Sequence, residues 1–282
     1  MMHHASIDRI SAATSNVVAS SLTKRDRPSP QKIRTFSEDI FLVACGFRAG
    51  HLIDAIGIPV ETLELLMNRL RKDNTLGFET VIFLSTYDHS QTFAVKLPTL
   101  RTAIGDEWTT FIPLSPKSRT GSDTFESAMP TSVEVAVAGL MSLEHPILPV
   151  HCTLNKMDTG SLVALAGLLL EYPVAYLPIP RAIPDLQPAA VDDDSGSDFD
   201  VLLSGVEMQI FSCELNLSPT QAPHGFMKFS CPTVTVQVIE ARHEQSFTEQ
   251  IIARWNDRLS LVPASGHISV RTQTGTFERL AL

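Results

Sequence analysis

The residues best suited to chemistry lie in a polar loop that follows the apolar segment 147–152 (ILPVHC). We predict a buried strand at 147–152 and a helix at 159–171, which places the loop at the carboxyl end of a strand, where open α/β sheets bind ligands. Free amides and the helix dipole attract anions at a helix start. The predicted anion pocket consists of Lys156, Asp158, Thr159, Gly160, Ser161 and His151.

A capped helix is the simpler interpretation of the same loop. Asp158 or Thr159 can accept hydrogen bonds from the first free amides of the helix, and the carboxylate of Asp158 would then occupy the place of an anion. The phosphate-binding pattern GxxxxGK[ST] does not occur in the chain. Capping alone is therefore the favoured role of Asp158, and the anion pocket is the alternative.

Other reactive side chains are scattered along the chain. His151 and Cys152 are neighbours, but adjacent strand residues point to opposite faces, so they cannot act together as a nucleophile and its base. The turn 87–89 (YDH) could carry function, although a solvated turn is the simpler interpretation. The segment 45–51 (CGFRAGH) matches no dinucleotide-binding pattern and is interpreted as a tight exit from a strand, with ligand lining as the alternative.

The four cysteines predict buried, reduced thiols and no metal site. Cys45, Cys152, Cys213 and Cys231 are widely spaced and lack the CxxC or Cys/His spacing of zinc sites. The chain also lacks the GxSxG pattern of serine hydrolases and the HExxH pattern of metalloproteases. We therefore expect neither a metal ion nor another cofactor.

Composition indicates a folded, acidic protein. Hydrophobic residues occupy 44% of the 282 positions and charged residues 19%, which supplies enough apolar surface for a large core. The net charge of −9 disfavours binding to nucleic acid or to anionic membranes. The longest apolar run has nine residues (162–170), and the first residues lack an apolar signal segment. These features predict a cytoplasmic or nucleocytoplasmic protein.

The first third of the chain is predicted to combine a tail with the first elements of a sheet. Residues 1–35 are rich in Ser, Thr and Asn and are expected to be disordered. The apolar run 40–45 predicts a buried strand, and 61–72 predicts a helix with Leu and Met at helical spacing. Segments 78–84 and 92–97 predict a hairpin.

The rest of the chain alternates exposed loops with further elements. The Pro-, Ser- and Gly-rich residues 113–130 and the acidic stretch 178–200, which ends in DDDSGSDFD, predict exposed loops. The further predicted elements are helices at 131–143 and 246–260, strands at 206–216 and 225–238, and a last pair of strands at 267–271 and 276–281. Ser246 and Glu249 have the spacing of a capping box.

Four short motifs carry a family resemblance. They are GLLLEYPVAY (167–176), LSGV (203–206), FSCP (229–232) and a terminal helix bearing Trp255. With these motifs, residues 38–260 resemble a eukaryotic family of uncharacterised proteins whose vertebrate member is known only as a chromosome 1 open reading frame. The resemblance makes 178–200 an insertion. It implies one continuous domain and transfers no catalytic residue.

Together these features predict a single mixed α/β domain at 36–282, with one mixed sheet flanked by helices. The leading functional hypothesis is a protein that acts by interaction with a protein partner, without catalysis. The alternative is a small-molecule enzyme or binder, of hydrolase or transferase type, that uses the anion pocket at the start of the 159–171 helix.

Overall fold

The computed structural model describes residues 2–54, 56–73, 77–114, 128–143, 148–178, 205–216, 222–260, 262 and 266–276. The helices are α1 (Met2–Ser21), α2 (Pro30–Ala44), α3 (Val60–Lys72), α4 (Leu97–Gly105), α5 (Thr131–Met141), α6 (Thr159–Leu169), α7 (Thr233–Ala241) and α8 (Phe247–Leu259). The strands are β1 (Gly50–Leu52), β2 (Val81–Ser85), β3 (Thr92–Lys96), β4 (Thr110–Leu114), β5 (His151–Thr153), β6 (Val174–Pro178), β7 (Glu207–Asn216), β8 (His224–Pro232) and β9 (His267–Thr276).

These strands form three sheets in the described part of the chain. A mixed four-stranded sheet has the order β1-β3-β2-β5, in which only the β2–β5 pair is parallel. β4 and β6 form a parallel pair, and β8-β7-β9 is an antiparallel sheet. The predicted α/β class is confirmed, whereas the single predicted sheet is wrong. Which strands pair with each other depends on contacts between distant segments of the chain. The spacing of apolar residues along the chain does not encode these contacts.

The N-terminal segment corrects the prediction of a disordered tail at 1–35. Residues 2–21 and 30–44 form α1 and α2, which pack against each other, and α1 also packs against α3. Ile7, Ile10 and Val18 of α1 are buried. Ser29 caps α2, which has a proline at its start. The composition of α1 is typical of a disordered tail, but its buried aliphatic side chains pack it against the rest of the protein.

The apolar run 40–45 belongs to the end of α2 and not to a strand. Ile40, Phe41, Leu42, Val43 and Ala44 are all buried, so this last turn is apolar on every side. A short continuous apolar run cannot distinguish a buried strand from a buried helical turn, which explains the error.

The C-terminal part differs from the prediction at two places. β8 ends at Pro232 and α7 follows, so the second half of the predicted strand 225–238 is helical. The strand predicted at 267–271 is longer, because β9 extends to Thr276 and pairs with β7, and the strand predicted at 276–281 lies almost wholly outside the described residues. Residues 277–281 lie outside the described residues, as do most of the predicted loops 113–130 and 178–200.

The hairpin and the four predicted helices are confirmed with small differences at their ends. β2 and β3 pair in antiparallel fashion. α3, α5, α6 and α8 correspond to the helices predicted at 61–72, 131–143, 159–171 and 246–260. α8 has the expected capping box between Ser246 and Glu249.

Two sets of buried side chains fill the interior. One lies between the N-terminal helices, α8 and the antiparallel sheet, and at its centre Phe226 contacts Phe47 and Trp255 at ring distances of 5.0 and 5.1 Å. The other lies between the mixed sheet and α4, α5 and α6. Tyr172, in the loop between α6 and β6, packs against both sets.

Candidate anion-binding site

Arg48 lies in the short connection between α2 and β1, which is held rigidly. Its amide donates to the carbonyl of Leu42 (3.1 Å), and the next amide, of Ala49, donates to Oε2 of Glu171 (2.6 Å). Glu171 itself is buried, and its Oε1 accepts from Arg254 (3.1 Å) and Arg258 (3.0 Å) of α8. The backbone next to Arg48 is therefore hydrogen-bonded to Glu171 at the end of α6, and Glu171 in turn forms ion pairs with α8.

Glu171 occupies a position where glycine is common. It follows the last turn of α6 with a φ of 56°, in the left-handed region. This conformation costs about 1–2 kcal/mol for a residue with a Cβ. Glycine would remove that cost but also the carboxylate, which is the shared acceptor for Ala49, Arg254 and Arg258.

The guanidinium of Arg48 is buried without a full set of acceptors. The residue is only 4% exposed, and its Nη1 reaches Nδ1 of His51 over a long 3.4 Å. Its Nε has no hydrogen-bond partner among the described residues. Burial lowers the pKa of Arg48, an effect that the charge of Asp39 opposes. A buried cation that lacks an acceptor costs several kcal/mol, so this arrangement favours an external anion.

The nearby carboxylates of Asp39 and Glu38 are both engaged by His224. Oδ1 of Asp39 accepts from Nε2 of His224 (3.0 Å), and Nδ1 of the same ring lies 3.3 Å from Oε2 of Glu38. Burial lowers the pKa of His224, but the hydrogen bonds to Asp39 and Glu38 outweigh this and raise it to about 9. His224 is therefore a cation at neutral pH and compensates Asp39.

His51, which contacts Arg48, is a neutral ring at physiological pH. Burial lowers its pKa to about 4, although Asp39 opposes the effect. An uncharged ring can accept from Arg48 through Nδ1 and still direct an Nε2 proton toward Oδ2 of Asp39, 3.6 Å away. His51 thus connects Arg48 to the Asp39 carboxylate without adding charge.

Arg48 lines a cavity of about 400 Å³ between β1 and the antiparallel sheet. It is also lined by Asp39, His51, Asp54, Tyr172 and the exposed Lys228. Glu214, a further lining residue, forms an ion pair with Arg271 at 3.0 Å. The lining carboxylates of Asp39 and Glu214 are paired with His224 and Arg271, which leaves the carboxylate of Asp54 opposite Arg48 and Lys228.

The predicted pocket at the start of α6 is filled by its own cap. Asp158 is the N-cap: its Oδ1 accepts from the amide of Ser161 (2.9 Å) and its Oδ2 from the Ser161 hydroxyl (2.6 Å). Ser161 is buried, as is Gly160, and its hydroxyl also lies 2.5 Å from that of Ser132. The carboxylate of Asp158 thus occupies the place of an anion, as the simpler interpretation of the sequence expects.

The structure also separates the remaining predicted residues. Lys156 lines a mostly apolar cavity of about 400 Å³ beside α5, whereas Thr159 lines a different cavity on the other side of α6. His151 lies on β5. Its polar contacts are with Ser85 and Glu64, and not with Lys156 or the start of α6. The anion pocket at this helix start therefore gains no support from the geometry.

His151 takes part in an arrangement that the sequence does not reveal. Its Nε2 lies 2.9 Å from Oγ of Ser85, and its Nδ1 lies 3.1 Å from Oε1 of Glu64. Serine hydrolases have the same order of atoms. Ser85, however, is 0% exposed, and its hydroxyl also bonds to Thr92 (2.9 Å). A substrate carbonyl cannot reach this oxygen, so the group is a polar connection between α3, β2 and β5.

Sequence reasoning missed the role of Arg48. The pattern of 45–51 predicts a tight exit from a strand, with ligand lining as the alternative, and does not single out Arg48. The signal that identifies Arg48 is its burial without an acceptor, which arises from α2, α6 and β8 and is invisible in the local sequence.

Comparisons with known proteins leave the family open. No protein-family model matches the chain, and no curated protein or solved structure matches it significantly. The resemblance to the chromosome 1 open reading frame family therefore stays a prediction. Within the described ranges, no helix is long and apolar enough to cross a membrane, and no three His, Cys, Asp or Glu side chains are grouped to hold a metal ion.

Proposed function

We propose that this protein binds a small molecule through an oxyanion group, a carboxylate or a phosphate, in the cavity lined by Arg48. The proposal rests on one observation: the buried guanidinium of Arg48 lines a cavity while its Nε lacks an acceptor among the described residues. This site replaces the predicted one at the start of α6 as the place where a ligand would bind.

The chemistry of the cavity suits an oxyanion. A guanidinium presents its donors in a planar fork that matches the two oxygens of a carboxylate or phosphate. Tyr172 adds a half-buried hydroxyl, and burial raises its pKa, so it remains a neutral donor at physiological pH. Lys228 lies at the exposed side of the cavity, where it can attract an anion from solvent.

Interaction with a protein partner, the leading hypothesis from the sequence, stays a prediction, as does a cytoplasmic or nucleocytoplasmic location. Catalysis by a hydrolase or transferase mechanism has weaker support. The serine closest to a histidine base, Ser85, is inaccessible. Binding is therefore the function that the geometry favours.

The test is anion-dependent stabilisation of the full chain. Thermal and urea unfolding would be measured in a buffer free of phosphate and sulfate, with inorganic phosphate or acetate added up to about 10 mM. With a dissociation constant of about 1 mM, the free energy of unfolding would rise by about 1.4 kcal/mol at the highest concentration.

Two variants locate the binding site. Arg48→Met keeps the length and apolar stem of the side chain, and it should abolish the stabilisation because the guanidinium donors are gone. Lys156→Ala, in the pocket predicted from the sequence, should respond like the wild type. Absence of stabilisation in the wild type, or an equal response in Arg48→Met, would refute the proposal.

A further inference from the structure

A second cavity adjoins the one at Arg48. It measures about 590 Å³ and lies between α6, β6 and β8. The two cavities are adjacent, since both are lined by Leu52, Leu170, Tyr172 and Lys228. The size of the second cavity is within the range of pockets that hold small organic molecules.

The faces that α6 and β8 present to the second cavity are mainly apolar. α6 contributes Leu162, Val163 and Ala166, and β8 contributes the buried ring of Phe229. Tyr176 also lines it, but its hydroxyl donates to the carbonyl of Ser230 (2.7 Å) and is therefore engaged within the protein. These surfaces offer hydrophobic contact rather than hydrogen bonds.

The polar groups at the far end of the second cavity are also satisfied internally. Asp88 lies in the β2–β3 turn, and its Oδ1 accepts from the hydroxyl of Thr86 (2.7 Å) and from the amide (3.1 Å) and hydroxyl (2.8 Å) of Ser90. These hydrogen bonds lower the pKa of Asp88 to about 2. The carboxylate thus belongs to the turn, and it would repel a second anionic group placed near it.

We infer that the ligand is amphipathic, with an oxyanion head at Arg48 and a single apolar chain or ring system in the cavity between α6 and β8. The inference rests on the proposed function and adds the class of ligand. The distribution of side chains supports it, because Arg48 lies at one end, Asp88 lies at the other, and apolar side chains of α6 and β8 lie between them. Fatty carboxylates and alkyl phosphates share this chemistry.

A chain-length series tests the inference. Isothermal titration of the full chain would use acetate, butanoate, hexanoate and octanoate, all at concentrations below micelle formation, with octyl phosphate beside inorganic phosphate to compare the two heads. Each methylene that enters the second cavity should tighten binding by about threefold to fourfold. Uncharged 1-octanol should bind far more weakly than octanoate.

A cavity-filling variant separates the tail from the head. Ala166→Leu should reduce the gain per methylene while leaving acetate and phosphate binding unchanged. Ala136→Leu is the matched control, because Ala136 also lies on a helix and lines a cavity, but the one beside α5. It should leave the whole series unchanged.

The possible outcomes distinguish this inference from the function on which it rests. Short anions that bind with no gain along the series would overturn the amphipathic ligand and leave the anion site intact. A wild type that binds none of the anions would overturn both. Octanoate that binds Arg48→Met as tightly as the wild type, or octanol as tightly as octanoate, would show that the head is not recognised and would also overturn the inference.

Discussion

The protonated ring of His224 should make stability depend on pH in a defined window. The ring donates toward Asp39 (3.0 Å) and Glu38 (3.3 Å), and these carboxylates raise its pKa to about 9, against an ordinary value of 6.5. Its side chain is only 16% exposed, so solvent screens the interaction weakly. His224→Gln removes the titrating group while keeping a side chain that can donate one hydrogen bond.

The magnitude follows from proton linkage. Because one pKa unit corresponds to about 1.36 kcal/mol, raising the pKa of His224 from 6.5 to about 9 contributes roughly 3 kcal/mol. This contribution is fully present below pH 6.5, where both states bind the proton, and is lost as the pH rises through 9. Between pH 6.5 and 8.5 the free energy of unfolding should fall by about 2 kcal/mol from this group alone.

The assay is urea unfolding at several pH values between 6.5 and 8.5, followed by the fluorescence of the buried Trp255. Burial raises the pKa values of Cys45 and Cys213 to about 11 and 12, so ionisation of unfolded thiols also lowers stability at alkaline pH. That effect is common to all variants and cancels in the difference between wild type and His224→Gln. The wild type should lose about 2 kcal/mol more than the variant.

A matched control uses another histidine. His243 is exposed just after α7, and His243→Gln should keep the pH dependence of the wild type. If His224→Gln and the wild type lose stability in parallel, the ring is not held protonated by the two carboxylates. The account of the charges around Arg48 would then be wrong, because Asp39 would be free to compensate Arg48.

Two further predictions concern the packing that holds the site. Glu171→Gln should lower the free energy of unfolding by about 3–5 kcal/mol, because it leaves the buried Arg258 without this carboxylate and Arg254 with Asp106 alone (3.3 Å). Glu214→Gln, in a more exposed ion pair, should cost less than about 1 kcal/mol, and equal losses in urea unfolding would contradict the role of Glu171. Gly167→Ala should destabilise by about 1–3 kcal/mol, because the new Cβ would lie 2.7 Å from that of Ala175. Gly139→Ala, on a helix with open space, should instead stabilise by about 0.5–1 kcal/mol, and the same sign for both variants in thermal unfolding would refute the packing argument.

Local patterns were reliable where one face of an element is apolar and its ends carry clear signals. α3 and α8 have apolar side chains at helical spacing, and α8 begins with the capping box of Ser246 and Glu249. The hairpin of β2 and β3 follows from two apolar segments joined by a polar turn. These features depend on residues within about ten positions of each other, so a single sequence contains them.

The errors fall where burial comes from distant segments. The end of α2 looks like a strand because it is apolar on all sides, and α1 looks disordered because its few aliphatic residues need α2 and α3 to bury them. α7 is rich in β-branched residues, which favour a strand, yet it is helical after Pro232. In each case tertiary contacts outweigh local preference.

The sequence by itself determined the α/β class, the hairpin, four of the eight described helices and the cap at Asp158, because the spacing of apolar residues and the type of capping residue are local properties. The tertiary structure alone decided the candidate site. Arg48 is an ordinary arginine in the sequence, and it becomes a buried cation with an unfilled donor only because α2, the end of α6 and β8 meet around it while His224 engages Asp39. Burial and the pairing of charges depend on the whole fold, and they turn a short connection between two elements into a place for an anion.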